Sequence, residues 1–122
     1  MKLDNLVLVY DNNKISIDGS TDLSFSDNTN LRFKSVNWNV LNGDGHNHKN
    51  IKDLFKRSQS SNKPNLLNFK TIIGFGSPNK SAKASSHGSP LGADEISLTK
   101  KELGWKEPPF QIPSTLLKEW RQ

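Results

Sequence analysis

The chain contains no cysteine and a single methionine, and hydrophobic residues make up only 32% of its 122 positions. Without cysteine it can build neither a disulfide framework nor a thiolate metal site, which leaves its compartment open on that count. No hydrophobic run approaches membrane-spanning length, and Met1-Lys2-Leu3-Asp4-Asn5 lacks the apolar stretch of a secretory leader. A cytoplasmic protein with no membrane partner is the expectation. Acidic residues are the scarcer charge, 12 against 17 basic ones, for a formal net charge of +5. That sign suits anionic partners. The longest basic runs are two residues, Lys56-Arg57 and Lys100-Lys101, and no stretch interleaves aromatics with cations as single-strand binders do, so nucleic acid is not an expected partner. Nine asparagines fall between Tyr10 and Asn50. One domain with a thin core and a polar surface, marginally stable in isolation, follows from that composition.

What is present alternates between strand and helix patterns. Leu6-Val7-Leu8-Val9-Tyr10 is a continuous apolar run ending in Asp11-Asn12-Asn13, which predicts a strand buried on both faces of a parallel sheet. Ile15-Ser16-Ile17 stops at the turn signal Asp18-Gly19, so residues 11 to 19 read as a tight excursion. Ser26 or Asp27 can cap a helix running to about Val36, Asn37 suits a left-handed ending, and Trp38 to Leu41 reads as a short strand. Asn47 or Asn50 can cap an amphipathic helix whose Ile51, Leu54 and Phe55 recur at i, i+3 and i+4. Ser58 to Pro64 is a polar connection, and Asn65 to Ile73 the next strand. Asp94 to Leu103 reads as a helix closed by Gly104, Trp105 to Pro113 as extended chain, and Ser114 as the cap of a last helix carrying Leu116, Leu117 and Trp120. The sum predicts an α/β fold, a partial parallel sheet with flanking helices.

Between the last strand and the next helix lie nineteen residues, Gly74 to Gly92, with no hydrophobic period. A loop of that length in a compact domain is expected to bind something. Gly74 and Gly76 flank Phe75 directly after Thr71-Ile72-Ile73, so backbone can approach a ligand at the carboxyl end of a strand, the edge where open α/β sheets bind. His87 sits between Ser86 and Gly88, which leaves its imidazole reachable and able to carry a proton near neutral pH. The phosphate-loop pattern fails, because Asn79 stands where the second glycine before Lys80-Ser81 belongs and no helix follows; the dinucleotide pattern fails as well. His46-Asn47-His48 reads as solvated loop rather than a metal site, since two histidines lack further ligands.

Several collinear stretches carry a family resemblance. Phe69-Lys70-Thr71-Ile72-Ile73-Gly74-Phe75-Gly76-Ser77-Pro78-Asn79-Lys80 and Ser86-His87-Gly88-Ser89-Pro90-Leu91-Gly92 are joined by Tyr10-Asp11-Asn12-Asn13-Lys14-Ile15-Ser16-Ile17-Asp18-Gly19, Asp44-Gly45-His46, Leu103-Gly104-Trp105 and Pro109-Phe110-Gln111-Ile112-Pro113. Together they resemble the transketolases, thiamine-diphosphate enzymes, over essentially the whole chain. The resemblance implies part of their amino-terminal, diphosphate-binding domain over residues 1–122, truncated at both ends, with residues 105–122 leading towards a following domain. It assigns the side-chain oxygen of Asn13 and the backbone carbonyl of Ile15 to a Mg2+ or Ca2+ ion, Asn13, Ile17, Ile73 and His87 to thiamine diphosphate, and His87 to substrate binding and proton transfer. Gly43-Asp44-Gly45 is not the family's metal motif, because the Asn-x-Ile that should follow that motif lies upstream here, at Asn13 to Ile15.

The implied activity is transfer of a two-carbon ketol unit between sugar phosphates, in the pentose phosphate pathway, by a homodimer. The upstream metal-binding aspartate and the downstream pyrimidine-binding domain are absent from these residues, so the chain alone is expected to be inactive and to bind cofactor weakly. The alternatives are a non-catalytic remnant of a truncated or split gene, and a small phosphate-binding α/β module using residues 74 to 81.

Overall fold

A computed structural model describes residues 3–122. In chain order the elements are β1 (Val7–Asn12), β2 (Ile15–Ser16), β3 (Gly19–Ser20), α1 (Thr29–Ser35), β4 (Asn39–Asp44), α2 (His48–Gln59), β5 (Asn65–Lys70), α3 (Ala93–Glu102) and α4 (Ser114–Trp120). β1, β5 and β4 form a parallel sheet in that order, with β5 in the middle, and β2 and β3 make a small antiparallel pair. This is the α/β arrangement expected, a partial parallel sheet with flanking helices.

Alternation along β5 sends Asn65, Leu67 and Phe69 to one face and Leu66 and Asn68 to the other. Leu67 and Phe69 meet Leu54 of α2, with Val7, Leu41 and Ile51 packed around them, so the amphipathic stripe of α2 covers that face. A Cβ at Gly43 would lie 2.5 Å from Leu54 Cδ1 and 3.0 Å from Phe69 Cε1, so the bare glycine leaves room for those side chains to close over β4. On the opposite face Asn68 Nδ2 donates to Asn30 Oδ1 of α1 at 2.8 Å, and Asn30 Nδ2 donates to Asn42 Oδ1 of β4 at 2.7 Å. Asparagine therefore does part of the work of holding the layers. Among the described residues the buried apolar side chains are Leu54, Leu66, Leu67 and Phe69, which is the thin core expected from composition.

Several local expectations change in the structure. β1 is present, but Leu8 and Val9 are 42% and 50% exposed, because β1 is an edge strand of this sheet rather than one covered on both faces. α1 is capped by Asn28, whose side chain accepts from Leu31 N at 3.0 Å, not by Ser26 or Asp27. Asn37 takes the left-handed conformation (φ 64°) after it, and Asn47 caps α2. β5 ends at Lys70 rather than Ile73. Thr71 N still reaches the β1 carbonyl of Asn12 at 3.3 Å, and the next donor, Ile72 N, turns to the ring of His46. Ser114 is the first residue of α4, with Pro113 at the cap and no side-chain capping bond. In the tail, Phe110 and Trp120 are almost wholly exposed.

Asn65 is the polar centre of the fold. Fully buried, it donates through Nδ2 to Ser58 O (3.2 Å) and Lys63 O (2.9 Å) and accepts from Asn39 Nδ2 at 2.7 Å, tying β5 to the end of α2 and to β4. Asn65→Ala strips two carbonyls and one amide of their partner, and is expected to destabilise the chain by about 2–3 kcal/mol, given the penalty for orphaned buried polar groups. Urea denaturation checks it: an unshifted midpoint would contradict this account.

Candidate functional site

Because the three long strands run parallel, their carboxyl ends open on one rim. Asp11 and Asn12 from β1, Asp44 at the end of β4 with Gly45 and His46 just beyond it, and Thr71 after β5 meet there. Thr71 Oγ1 donates to Asp11 Oδ1 in a short contact, and Gly45 N donates to Lys70 O at 2.9 Å. His46 Nε2 accepts from Ile72 N at 2.8 Å, which places the ring proton on Nδ1, and the ring stacks on Phe75 with centroids 3.8 Å apart. The reading of His46 as a solvated loop histidine is thus corrected: it is half-buried and pins the first turn of the long loop.

From the same rim the chain enters the β2–β3 hairpin. Asn13 Oδ1 accepts from Ile15 N at 2.9 Å across Lys14, which adopts a left-handed conformation (φ 62°). Thr21 N donates to Lys14 O at 3.0 Å, so residues 14 and 21 are a hydrogen-bonded pair and Ile15, opposite Ser20, belongs to the alternate pair. In an antiparallel ladder such a residue turns its N–H and C=O away from the partner strand. The Ile15 carbonyl therefore faces the outside of the hairpin, the side on which Ile15 N bonds Asn13 Oδ1. Ile17, at the hairpin turn, is 71% exposed.

The long loop is braced from within. Glu95, in the first turn of α3, is buried, and its carboxylate accepts from Ser77 Oγ, from Asn79 N at 2.8 Å and from Asn79 Nδ2 at 2.9 Å. Those bonds, the Ser77 hydroxyl first, hold its pKa down at about 2. Ser77 Oγ accepts in turn from Lys80 N (3.1 Å), Lys80 O accepts from Ser86 Oγ (2.6 Å), and Lys80 Nζ donates to Leu91 O (2.9 Å). Ala82 N returns to Ile73 O at 2.9 Å. Gly76, at φ 83°, would place a Cβ 2.6 Å from Leu103, so the turn closes against the end of α3 only with glycine there. A short 3-10 turn, Ala84–Ser86, then presents His87, whose backbone N donates to Ala84 O at 2.9 Å and whose side chain is exposed.

The topology thus brings the Asn13 hairpin and the loop carrying Ile73 and His87 to one rim. Asn13 follows Asn12, whose carbonyl bonds Thr71 N, and His87 is tied through Ser86 and Lys80 to the loop that Thr71 begins. Sequence reasoning missed the Asp11–Thr71 bond, the His46–Phe75 stack and Glu95. An acidic residue in a helix's first turn, eighteen positions after a serine, carries no local signal.

All of residues 1–122 match the family described as transketolase, thiamine diphosphate binding domain. The chain belongs to the transketolase family. It is 50% identical over 122 residues to a transketolase of Buchnera aphidicola subsp. Acyrthosiphon pisum and 48% identical to transketolase 1 of Escherichia coli, in each case over 98% of this chain and 18% of the relative. The transketolase of Campylobacter jejuni superposes with a TM-score of 0.91 at 35% identity, over 98% of this chain and 19% of that one. The chain therefore spans about one-fifth of the length of the transketolases it matches. Among the described residues no group of three or more His, Cys, Asp or Glu is placed to hold a metal, and no helix is long and apolar enough to cross a membrane. The two hairpin oxygens nonetheless suit a hard cation, which prefers oxygen ligands and combines few protein oxygens with phosphate and water.

Glu95 sets a pH dependence. A carboxyl whose pKa is lower in the folded chain stabilises it above the ordinary value of 4.5, and that contribution is lost as pH falls through about 2. Urea midpoints recorded at fixed pH should fall across this window in the parent chain, and Glu95→Gln should flatten that part of the decline. A slope identical in both would show that Glu95 does not supply it.

Proposed function

We propose that these residues supply part of a thiamine-diphosphate site in a transketolase, with Asn13 Oδ1 and the Ile15 carbonyl holding a Mg2+ or Ca2+ ion against the diphosphate. The observation that supports the reading is the bond from Ile15 N to Asn13 Oδ1, which holds the Asn13 side chain against the hairpin, one residue after Asn12, whose carbonyl bonds Thr71 N on the rim. When bound, the cofactor would supply the carbon chemistry by which a two-carbon ketol unit passes from a ketose phosphate to an aldose phosphate, while the protein binds, orients and moves protons. His87, exposed at the end of its 3-10 turn, would face the diphosphate and the substrate and assist proton transfer at a substrate hydroxyl. Ile17 and Ile73 would offer apolar contact to the cofactor. The hairpin contributes two ligand oxygens where magnesium takes six, so the remaining ligands come from phosphate, water and protein outside these residues. Sugar phosphates as substrates, a homodimer and a role in the pentose phosphate pathway belong to the same proposal.

The phosphate-module alternative finds no support in the geometry. Lys80 Nζ, the group that would grip phosphate, is engaged by Leu91 O within its own loop.

A chimera tests the proposal, with this segment replacing its counterpart in the E. coli relative. It is expected to transfer ketol units between sugar phosphates. Asn13→Ala in the chimera should raise the Mg2+ concentration for half-maximal activity by about tenfold or more, the scale seen even for lost outer-shell partners. His87→Ala should lower kcat by about a hundredfold, the lower bound for a proton-transfer group. A chimera that folds by circular dichroism yet shows parental Mg2+ dependence in Asn13→Ala would overturn the metal assignment. Calorimetry of the 122-residue chain alone with thiamine diphosphate and Mg2+ should show binding weaker than micromolar.

A further inference from the structure

We infer that Glu95 is a positioning residue for His87, acting through Lys80 and Ser86, an inference that rests on the diphosphate-facing reading of His87. Beyond Phe75, which stacks on His46 at the start of the loop, the loop is closed by a continuous chain of polar contacts. It begins at the buried Glu95 carboxylate, which takes the Ser77 hydroxyl and both nitrogens of Asn79. The same Ser77 oxygen accepts Lys80 N, so one hydroxyl relays the carboxylate's hold to the next residue. Lys80 is the branch point: its carbonyl accepts Ser86 Oγ at 2.6 Å, immediately before His87, and its ammonium reaches Leu91 O on the far side of His87. The backbone that carries His87 is therefore held on both sides in sequence by one lysine, and that lysine's N–H is tied through Ser77 to one carboxylate. Hydrogen bonds to an ionised group are roughly twice as strong as neutral ones. This makes the carboxylate the strongest polar hold on the part of the loop beyond the Phe75 stack.

A group that only stabilised α3 would leave the far arm of the loop untouched when altered. Glu95 as a positioning residue must transmit its loss across ten residues of sequence to Ser86 and His87, while the sheet stays as it was.

Hydrogen exchange of the 122-residue chain separates these cases. Each amide along the relay has a partner: Asn79 N on Glu95, Lys80 N on Ser77 Oγ, Ala82 N on Ile73 O, Ser86 N on Lys83 O and His87 N on Ala84 O. In Glu95→Gln all five should exchange about tenfold faster, the scale of one lost charge-assisted bond, with Leu67 and Phe69 unchanged. Acceleration confined to Asn79 and Lys80, or equal acceleration that includes Leu67 and Phe69, would overturn the inference. Should Glu95→Gln not fold, Asn79→Ala removes a single arm at an exposed position and should give a smaller acceleration in the same order along the loop. In parallel, inorganic pyrophosphate should shift the His87 ring resonances of the parent chain, and less so in Glu95→Gln at equal concentration. No response of His87 to pyrophosphate overturns its assignment, and with it the purpose of the brace, even where the exchange result holds; a relay that stops at Lys80 overturns the brace while leaving the assignment of His87 standing.

Discussion

The burial of β5 between two parallel partners is the constraint from which the rest of this structure follows. β5 alone is hydrogen-bonded along both edges, and five of its six residues, Asn65 to Phe69, are buried. Its alternating side chains define both layers at once, Leu67 and Phe69 under α2, Leu66 and Asn68 towards α1. Because a parallel sheet needs a crossover for every strand, both helices that cover it lie between strands in sequence. The register Asn12 to Lys70 and Asp44 to Lys70 then aligns the three strand ends within one residue of each other. A shift of β5 by one residue would turn Asn65 and Asn68 to the wrong helices and break both asparagine networks.

The rim is consequently a place where backbone donors run out of strand partners. After Thr71, whose N–H still bonds the β1 carbonyl of Asn12, Ile72 N is satisfied by the His46 ring, and in the loop beyond Asn79 N is satisfied by Glu95 and Leu91 O by Lys80. This exchange of ladder bonds for side-chain bonds lets the backbone turn out over the rim without leaving buried groups unpaired. The site is therefore polar for a structural reason before any ligand is considered. The loop is closed by small residues and charge-assisted hydrogen bonds and leaves the His87 side chain exposed.

Much of this was legible along the chain. The apolar stripe Ile51, Leu54, Phe55 announced α2, Asn47 its start, and Asn37 and Gly104 the left-handed endings of the helices before them. Leu6 to Tyr10 announced a strand but not its exposure, since an apolar run is the same whether its neighbour is a strand or solvent. Thr71-Ile72-Ile73 has the composition of a strand and is not one: Thr71 N makes a last bond to Asn12 O of β1, and Ile72 N then turns to the His46 ring. The Asn13 hairpin and His87 stood out through family motif. Their arrival at one rim required the parallel pairing of β1 with β5.

By itself the sequence determined the order and kind of the elements, the thinness of the core and the family, because periodicity, capping and collinear motifs are local properties written within a few residues of each other. Only the tertiary structure decided which polar residues are buried or paired across the fold. Glu95, Asn65, Asp11 and His46 look like ordinary surface side chains in their own segments; each acquires its role from a partner eleven or more positions away or from a strand on the other side of a crossover. The free energy of such a contact depends on desolvation that no local pattern records.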